Sequence, residues 1–223
     1  DLFKFSFPDN DHDKFDPDND EYFLGPIVIF TNDKGQQEII DGQQRLTTLI
    51  LLLRAFYSEY EKKQDKYSVK AREEIGTCIW KTAEIDDTPY FDFVKLDTEV
   101  AIDETINDFY EILKTGQIAR DKKSRYAENY RFFQEEIKKF CETFDGYLVH
   151  FSTRILKNCM LLEIKANSSE SALQIFSTLN DRGKPLSDAD IFKAQFYKHY
   201  SQSGRKDDFI EKWKELEKLC SKI

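Results

Sequence analysis

The sequence predicts an α+β fold, mostly helical, in which a small β-sheet packs on a helical bundle. Three observations carry that expectation. Residues 38–49 read as a short strand, a polar turn and the start of an apolar helix. Tyr126, Tyr130, Phe133, Ile137, Phe140 and Phe144 alternate by fours and threes, the spacing of a buried helical stripe. Residues 159–165 read as one more short strand, with a helical pattern behind it.

Bulk properties limit the classes available. A chain of 223 residues with 40% hydrophobic and 14% aromatic content can build a real core. No internal repeat or low-complexity linker interrupts it, so one domain is expected over 1–223. Its parts are a β/α core part (1–65), a helical region (66–158) and a last strand with helices (159–223). A net charge of -9 is not the footprint of a stand-alone nucleic-acid binder. The longest apolar block, 49–53, is far short of a membrane span, and no signal peptide is visible. Cys78, Cys141, Cys159 and Cys220 form no CxxC pair, and only His12, His150 and His199 could join them. That argues against zinc and against a disulfide framework, and fits a cytoplasmic setting.

The elements follow in order. Leu2, Phe3 and Phe5 look like the tail of a helix. Residues 1–21 are acidic and Asn/Asp-rich, and the spacing of Asp9, Asp11 and Asp13 matches the start of a calcium loop. Lys14 stands where such a loop needs Gly, and Asp20 where it needs Glu, so a solvated, mobile loop is expected. Residues 22–30 read as a strand whose Gly25-Pro26 suggests a bulge or an edge position. Asn32-Asp33-Lys34-Gly35 turns the chain back through 37–41, a β-hairpin. Helices are expected near 44–63, 67–80, 97–114, 121–144 and 145–157. Ser168 opens a further helix through Leu179, and Ser187 with Asp190 caps the next. Arg120, Lys122, Lys123, Arg125 and Arg131 form the one notable basic cluster, read by default as a solvated face.

Two polar turns carry the chemistry. In the first, Gly42 allows a tight or left-handed backbone, and Asp41 can cap the helix. The N–H groups from Gln43 to Leu46 sit where anions bind. Arg45 can neutralise phosphate, and Asp41 can hold Mg2+ or orient a water. Thr47 could assist at the metal, and Gln43 and Gln44 suit positioning a water or reading a base or sugar. The alternative is plain capping by Asp41 with Arg45 in a surface pair, since no Walker lysine loop is present. The second turn holds Asn180, Arg182 and Gly183 between two helices, with Asp190 and Lys193 one helical turn apart. It reads either as a second set of phosphate or sugar contacts or as a helix–helix connection.

Ile40-Asp41-Gly42-Gln43-Gln44-Arg45-Leu46-Thr47 resembles the DGQQR signature of the GmrSD-type restriction-system family. The stretch from Phe176 through Asn180, Arg182, Gly183, Leu186, Ser187 and Asp190 to Lys193 is similar to that family's second signature, and Tyr22-Phe23-Leu24-Gly25-Pro26-Ile27-Val28 also fits. The resemblance implies a ParB/sulfiredoxin-like sheet followed by a helical region. It implies nucleotide binding and hydrolysis in bacterial defence against modified phage DNA. Asp41, Gly42, Gln43, Gln44 and Arg45 would form the nucleotide site, with Thr47, Asn180, Arg182, Asp190 and Lys193 contributing.

The expectation is therefore a Mg2+-dependent NTPase module that gates a DNA-cleaving partner domain. The alternative is a ParB-like nucleotide switch or DNA-binding module without hydrolysis. Family members usually carry a Pro-x-Tyr-Gln-Arg-like segment and a Trp upstream of the first strand. This chain begins after that point, so a fragment of a longer protein is expected, with part of the pocket upstream. No HNH-type motif is present, so no nuclease activity is expected of these residues.

Overall fold

The computed structural model describes residues 1–84, 88–96 and 105–180, with positions 196, 200, 205, 212, 213, 215 and 216; of Asp145 and Asn180 only the backbone is described. The fold is α+β and predominantly helical. Strands β1 (Tyr22–Thr31), β2 (Gln37–Asp41) and β5 (Cys159–Ala166) form a sheet in the order β2-β1-β5. The chain divides into two compact units. One comprises Asp1–Ile27, Gly42–Glu99 and Asp103–Ile164, the other Val28–Asp41, Val100–Ile102 and Lys165–Ile223.

The larger unit is the helical bundle. It holds α1 (Leu2–Ser6), α2 (Gln43–Tyr60), α3 (Lys66–Ile79), α4 (Ile106–Thr115), α5 (Arg125–Phe144) and α6 (Leu148–Asn158). Helix α2 is its axis. Ile50 to Tyr57 are buried without a break, and α2 packs on α3, α4 and α5. Asp65 starts α3 by accepting the N–H groups of Tyr67 and Ser68. Gly116 ends α4 in the left-handed region, and its N–H returns to the Ile112 carbonyl at 2.8 Å. The aromatic stripe of α5 faces inward as its spacing predicts. Tyr130, Ile137 and Phe140 are buried, and Tyr126, Phe133 and Phe144 pack against the same core.

Among the described residues the bundle buries two guanidiniums, Arg54 and Arg154, that the sequence does not announce. Arg54 is 3% exposed. Its Nε donates to the Leu113 carbonyl at 3.0 Å and its Nη1 to Ser58 Oγ at 2.6 Å. Tyr130 hydroxyl in turn donates to the Gly116 carbonyl at 2.9 Å. Buried polar groups of this kind hold only when each finds a partner.

Several expectations are corrected. Residues 80–94 hold an antiparallel pair, β3 (Trp80–Thr82) with β4 (Pro89–Val94), where no strand was expected. Its register shifts between Trp80 and Lys81, so the segment lacks the clean alternation that marks a strand in sequence. The helix expected over 97–114 is observed as α4 from Ile106, and 97–104 lie outside the described residues. Helix α5 begins at Arg125 because Ser124 Oγ accepts the Ala127 N–H. Residues Asp145–Tyr147 form a 3-10 turn rather than the start of α6.

The acidic N-terminal segment is tethered. Arg154 donates to the carbonyls of Ser6 and His12, and its guanidinium lies 4.2 Å from the centre of the Phe15 ring. Asn158 Nδ2 donates to the carbonyls of Pro17 and Asp20, each at 2.9 Å. Asp9 pairs with Lys14, Asp11 accepts the Asp13 N–H and Asp13 Oδ1 pairs with the His12 ring, so all three calcium-loop carboxylates serve the loop itself.

The smaller unit pairs β2 with the end of β1, from Val28 opposite Asp41 to Thr31 opposite Gln37. Asn32 closes this hairpin as expected. Its side-chain oxygen accepts the N–H groups of Lys34 and Gln36, and Gly35 sits at φ 76. The bulge lies between Val28 and Ile29, not at Gly25-Pro26, and β1 is the central strand rather than an edge. Pro26 lies outside the β2 ladder, which starts at Val28. Helix α7 (Ser169–Asn180) packs on β2.

Candidate functional site

The first polar turn forms the expected strand, turn and helix. Asp41 ends β2 half-buried, paired in register with Val28. The expected cap is corrected: the N-cap of α2 is Gly42, not Asp41. Gly42 adopts φ 94 and ψ 4, where a side chain is strained. A Cβ there would also come within 2.5 Å of Ile27 Cγ2. The position is therefore closed to any other residue twice over, by backbone conformation and by the neighbouring strand.

The helix then starts at once. Leu46 N–H donates to the Gly42 carbonyl at 3.0 Å. Thr47 and Thr48 hydroxyls donate back to the carbonyls of Gln43 and Gln44 at 2.8 and 2.7 Å. Gln43 and Gln44 are exposed on the first turn, with Arg45 and Thr47 half-buried beside them. This is the arrangement that concentrates positive potential at a helix start.

Arg45 is half-buried on the first turn of α2. Its Nη1 donates to the carbonyl of Pro26, nineteen residues earlier. Gly25 lies beside it at φ 111, and a Cβ on Gly25 would come within 2.6 Å of Arg45 Nη1. Gly25 and Pro26 are thus residues of the turn that sequence reasoning assigned only to the strand. The available signal was the Gly-Pro pair itself, read there as a bulge.

The second turn is described only at its start. Asn180 closes α7, and Asp181, Arg182, Gly183, Asp190 and Lys193 lie outside the described residues. The basic cluster is partly used within the fold. Lys122 pairs with the buried Asp108 at 2.9 Å, and Arg131 donates to the carbonyls of Ala119 and Lys122.

Other chemistries are weaker among the described residues. No group of three His, Cys, Asp or Glu is placed to hold a metal ion. A Mg2+ held by one carboxylate, phosphate oxygens and waters needs no such group, and Asp41 fits that role as a hard oxygen donor at a strand end. Burial pushes the Cys159 thiol up to about 11, which leaves it a poor nucleophile. A cavity of about 300 Å³ beside β4 is lined by Lys81, Phe91, Phe93, Tyr110 and Lys114, and by no residue of the turn. No described helix is long and apolar enough to cross a membrane.

The family profile described as GmrSD restriction endonuclease, N-terminal domain, matches residues 4–197 of the chain. The match spans both polar turns and nearly all the described elements. No curated protein matches the chain.

Proposed function

The chain belongs to the family of GmrSD restriction endonuclease N-terminal domains, and from that premise we propose that its 41–45 turn binds a nucleoside triphosphate and hydrolyses it with Mg2+. The family makes the chain part of a restriction system. The observation that carries the nucleotide reading is the left-handed Gly42 at the head of α2, with Arg45 held on its first turn against β1. A helix start offers N–H groups that its own hydrogen-bond ladder does not use, and they suit phosphate oxygens.

Each residue has a role in this reading. Asp41 would hold the Mg2+ or orient the attacking water. Mg2+ would neutralise charge on the phosphate oxygens. Arg45 contacts phosphate through its guanidinium. The exposed amides of Gln43 and Gln44 position water, sugar or base. Thr47 donates to the Gln43 carbonyl, and its oxygen would assist at the metal. Asn180, Arg182, Asp190 and Lys193 supply further nucleotide contacts. The sheet and α2 act as a ParB/sulfiredoxin-like core, in the cytoplasm, and hydrolysis gates a DNA-cleaving partner domain.

The test is phosphate release from a panel of nucleoside triphosphates with Mg2+, comparing wild type with Asp41→Ala. The expected outcome is a loss of at least about a hundredfold, the scale of removing a group that organises phosphoryl transfer. An Asp41→Ala chain as fast as wild type rules the assignment out. Tight nucleotide binding by wild type without phosphate release replaces the hydrolase with a nucleotide switch.

A further inference from the structure

We infer that Gly25 is a positioning residue for Arg45, holding its guanidinium against β1 by leaving empty the space a side chain would take. The inference rests on the nucleotide reading for its functional half and on geometry alone for its structural half. Gly25 and Arg45 stand twenty residues apart in sequence, and nothing local couples them. In the fold, a Cβ on Gly25 would lie 2.6 Å from Arg45 Nη1 and 3.5 Å from Cζ. The same Nη1 donates to the carbonyl of Pro26, the next residue. The strand thus presents a gap and an acceptor side by side, and one guanidinium nitrogen occupies both.

The arrangement has a consequence for binding. A free arginine samples many rotamers, and fixing it against a phosphate costs side-chain entropy. Arg45 meets that cost in folding, because Pro26 holds one arm of its planar fork. The guanidinium as a whole keeps a fixed orientation relative to the start of α2. An arginine held this way binds phosphate with less ordering still to be done.

Glycine at position 25 has two physical reasons, and they are separable. Its φ of 111 strains any other residue, whatever stands at 45. The clash with Nη1 exists only while Arg45 is present, and a flexible side chain relieves it by swinging away. Gly25→Ala therefore expels the guanidinium in addition to straining the backbone. The first cost survives removal of Arg45 and the second does not.

A double-mutant cycle over Gly25→Ala and Arg45→Ala in the full chain reads this directly. One readout is urea unfolding, which needs no nucleotide. The other is the KM for nucleoside triphosphate with Mg2+, measured where all four proteins are folded. Gly25→Ala is expected to be less destabilising in the Arg45→Ala background than in wild type. It is expected to raise KM about tenfold in wild type, the scale of one charge-assisted hydrogen bond, and to change it little once Arg45 is gone. Additive effects in either readout overturn the inference and leave Gly25 serving its backbone conformation alone. A wild-type chain that takes no nucleotide overturns the function proposed above but not the clamp, which the unfolding cycle then decides.

Discussion

Asp108 illustrates how single residues hold the bundle together. It is 4% exposed, and the hydrogen bond from Lys122 holds its carboxyl below the ordinary carboxylate value, with Ser124 adding to the effect. A lowered folded pKa means that the unfolded chain binds the proton more readily. The pair's contribution is therefore complete above the ordinary value near 3.8 and is lost as pH falls through the lower folded value. Asp108→Asn is expected to destabilise the fold by about 1.5 kcal/mol at neutral pH, the low end for a charged hydrogen bond because Lys122 is partly solvated. Denaturation curves from pH 7 down to pH 2 check this. The gap between wild type and variant should narrow in acid and stay constant above pH 5.

At the scale of elements, α6 is the anchor of the N-terminal segment. Its last turns carry Arg154 and Asn158, which together take four backbone carbonyls from residues 6–20. Carbonyls in an irregular segment have no ladder to satisfy them, so side chains do it instead. Asn158→Ala removes two of these bonds at once. It is expected to cost about 1–2 kcal/mol. It should also raise amide exchange or proteolytic cleavage over residues 15–21 well before the bundle responds. Equal protection of that segment in wild type and variant would show that the aromatic contacts of Phe7 and Phe15 suffice. The pair of β3 with β4 makes a related point. Trp80 is fully buried against Tyr57, so α3 stops at Ile79 and the chain turns into a strand to keep the indole inside.

At the scale of the molecule, a ligand that binds the native chain alone must stabilise it. A nucleoside triphosphate with Mg2+ at a hundred times its dissociation constant is expected to add about 2.7 kcal/mol. In a chain of this length each kcal/mol moves the melting temperature by about 2–4 °C. Thermal melts across a nucleotide panel therefore rank the bases without any assay of turnover. The Asp41→Ala chain should lose the Mg2+-dependent part of the shift. A variant that melts lower without ligand would mark Asp41 as a residue of the fold as well.

What the sequence determined by itself is local. The α5 stripe follows from a period of four and three, and the hairpin turn from Asn32 and Gly35. The strand, turn and helix at 38–49 follow from β-branched residues, one glycine and an apolar helical repeat. Each of these signals lies within a few residues of the structure it specifies, so no knowledge of packing is needed. The tertiary structure decided the partners. Arg45 reads in sequence as a phosphate ligand or a surface pair, and in the fold it donates to Pro26. Lys122 reads as part of a basic face, and in the fold it neutralises Asp108. Arg54, which no sequence pattern singles out, is buried in the fold on the Leu113 carbonyl. A side chain's partner depends on which backbone groups distant segments bring within about 3 Å, and that is settled only when the elements pack.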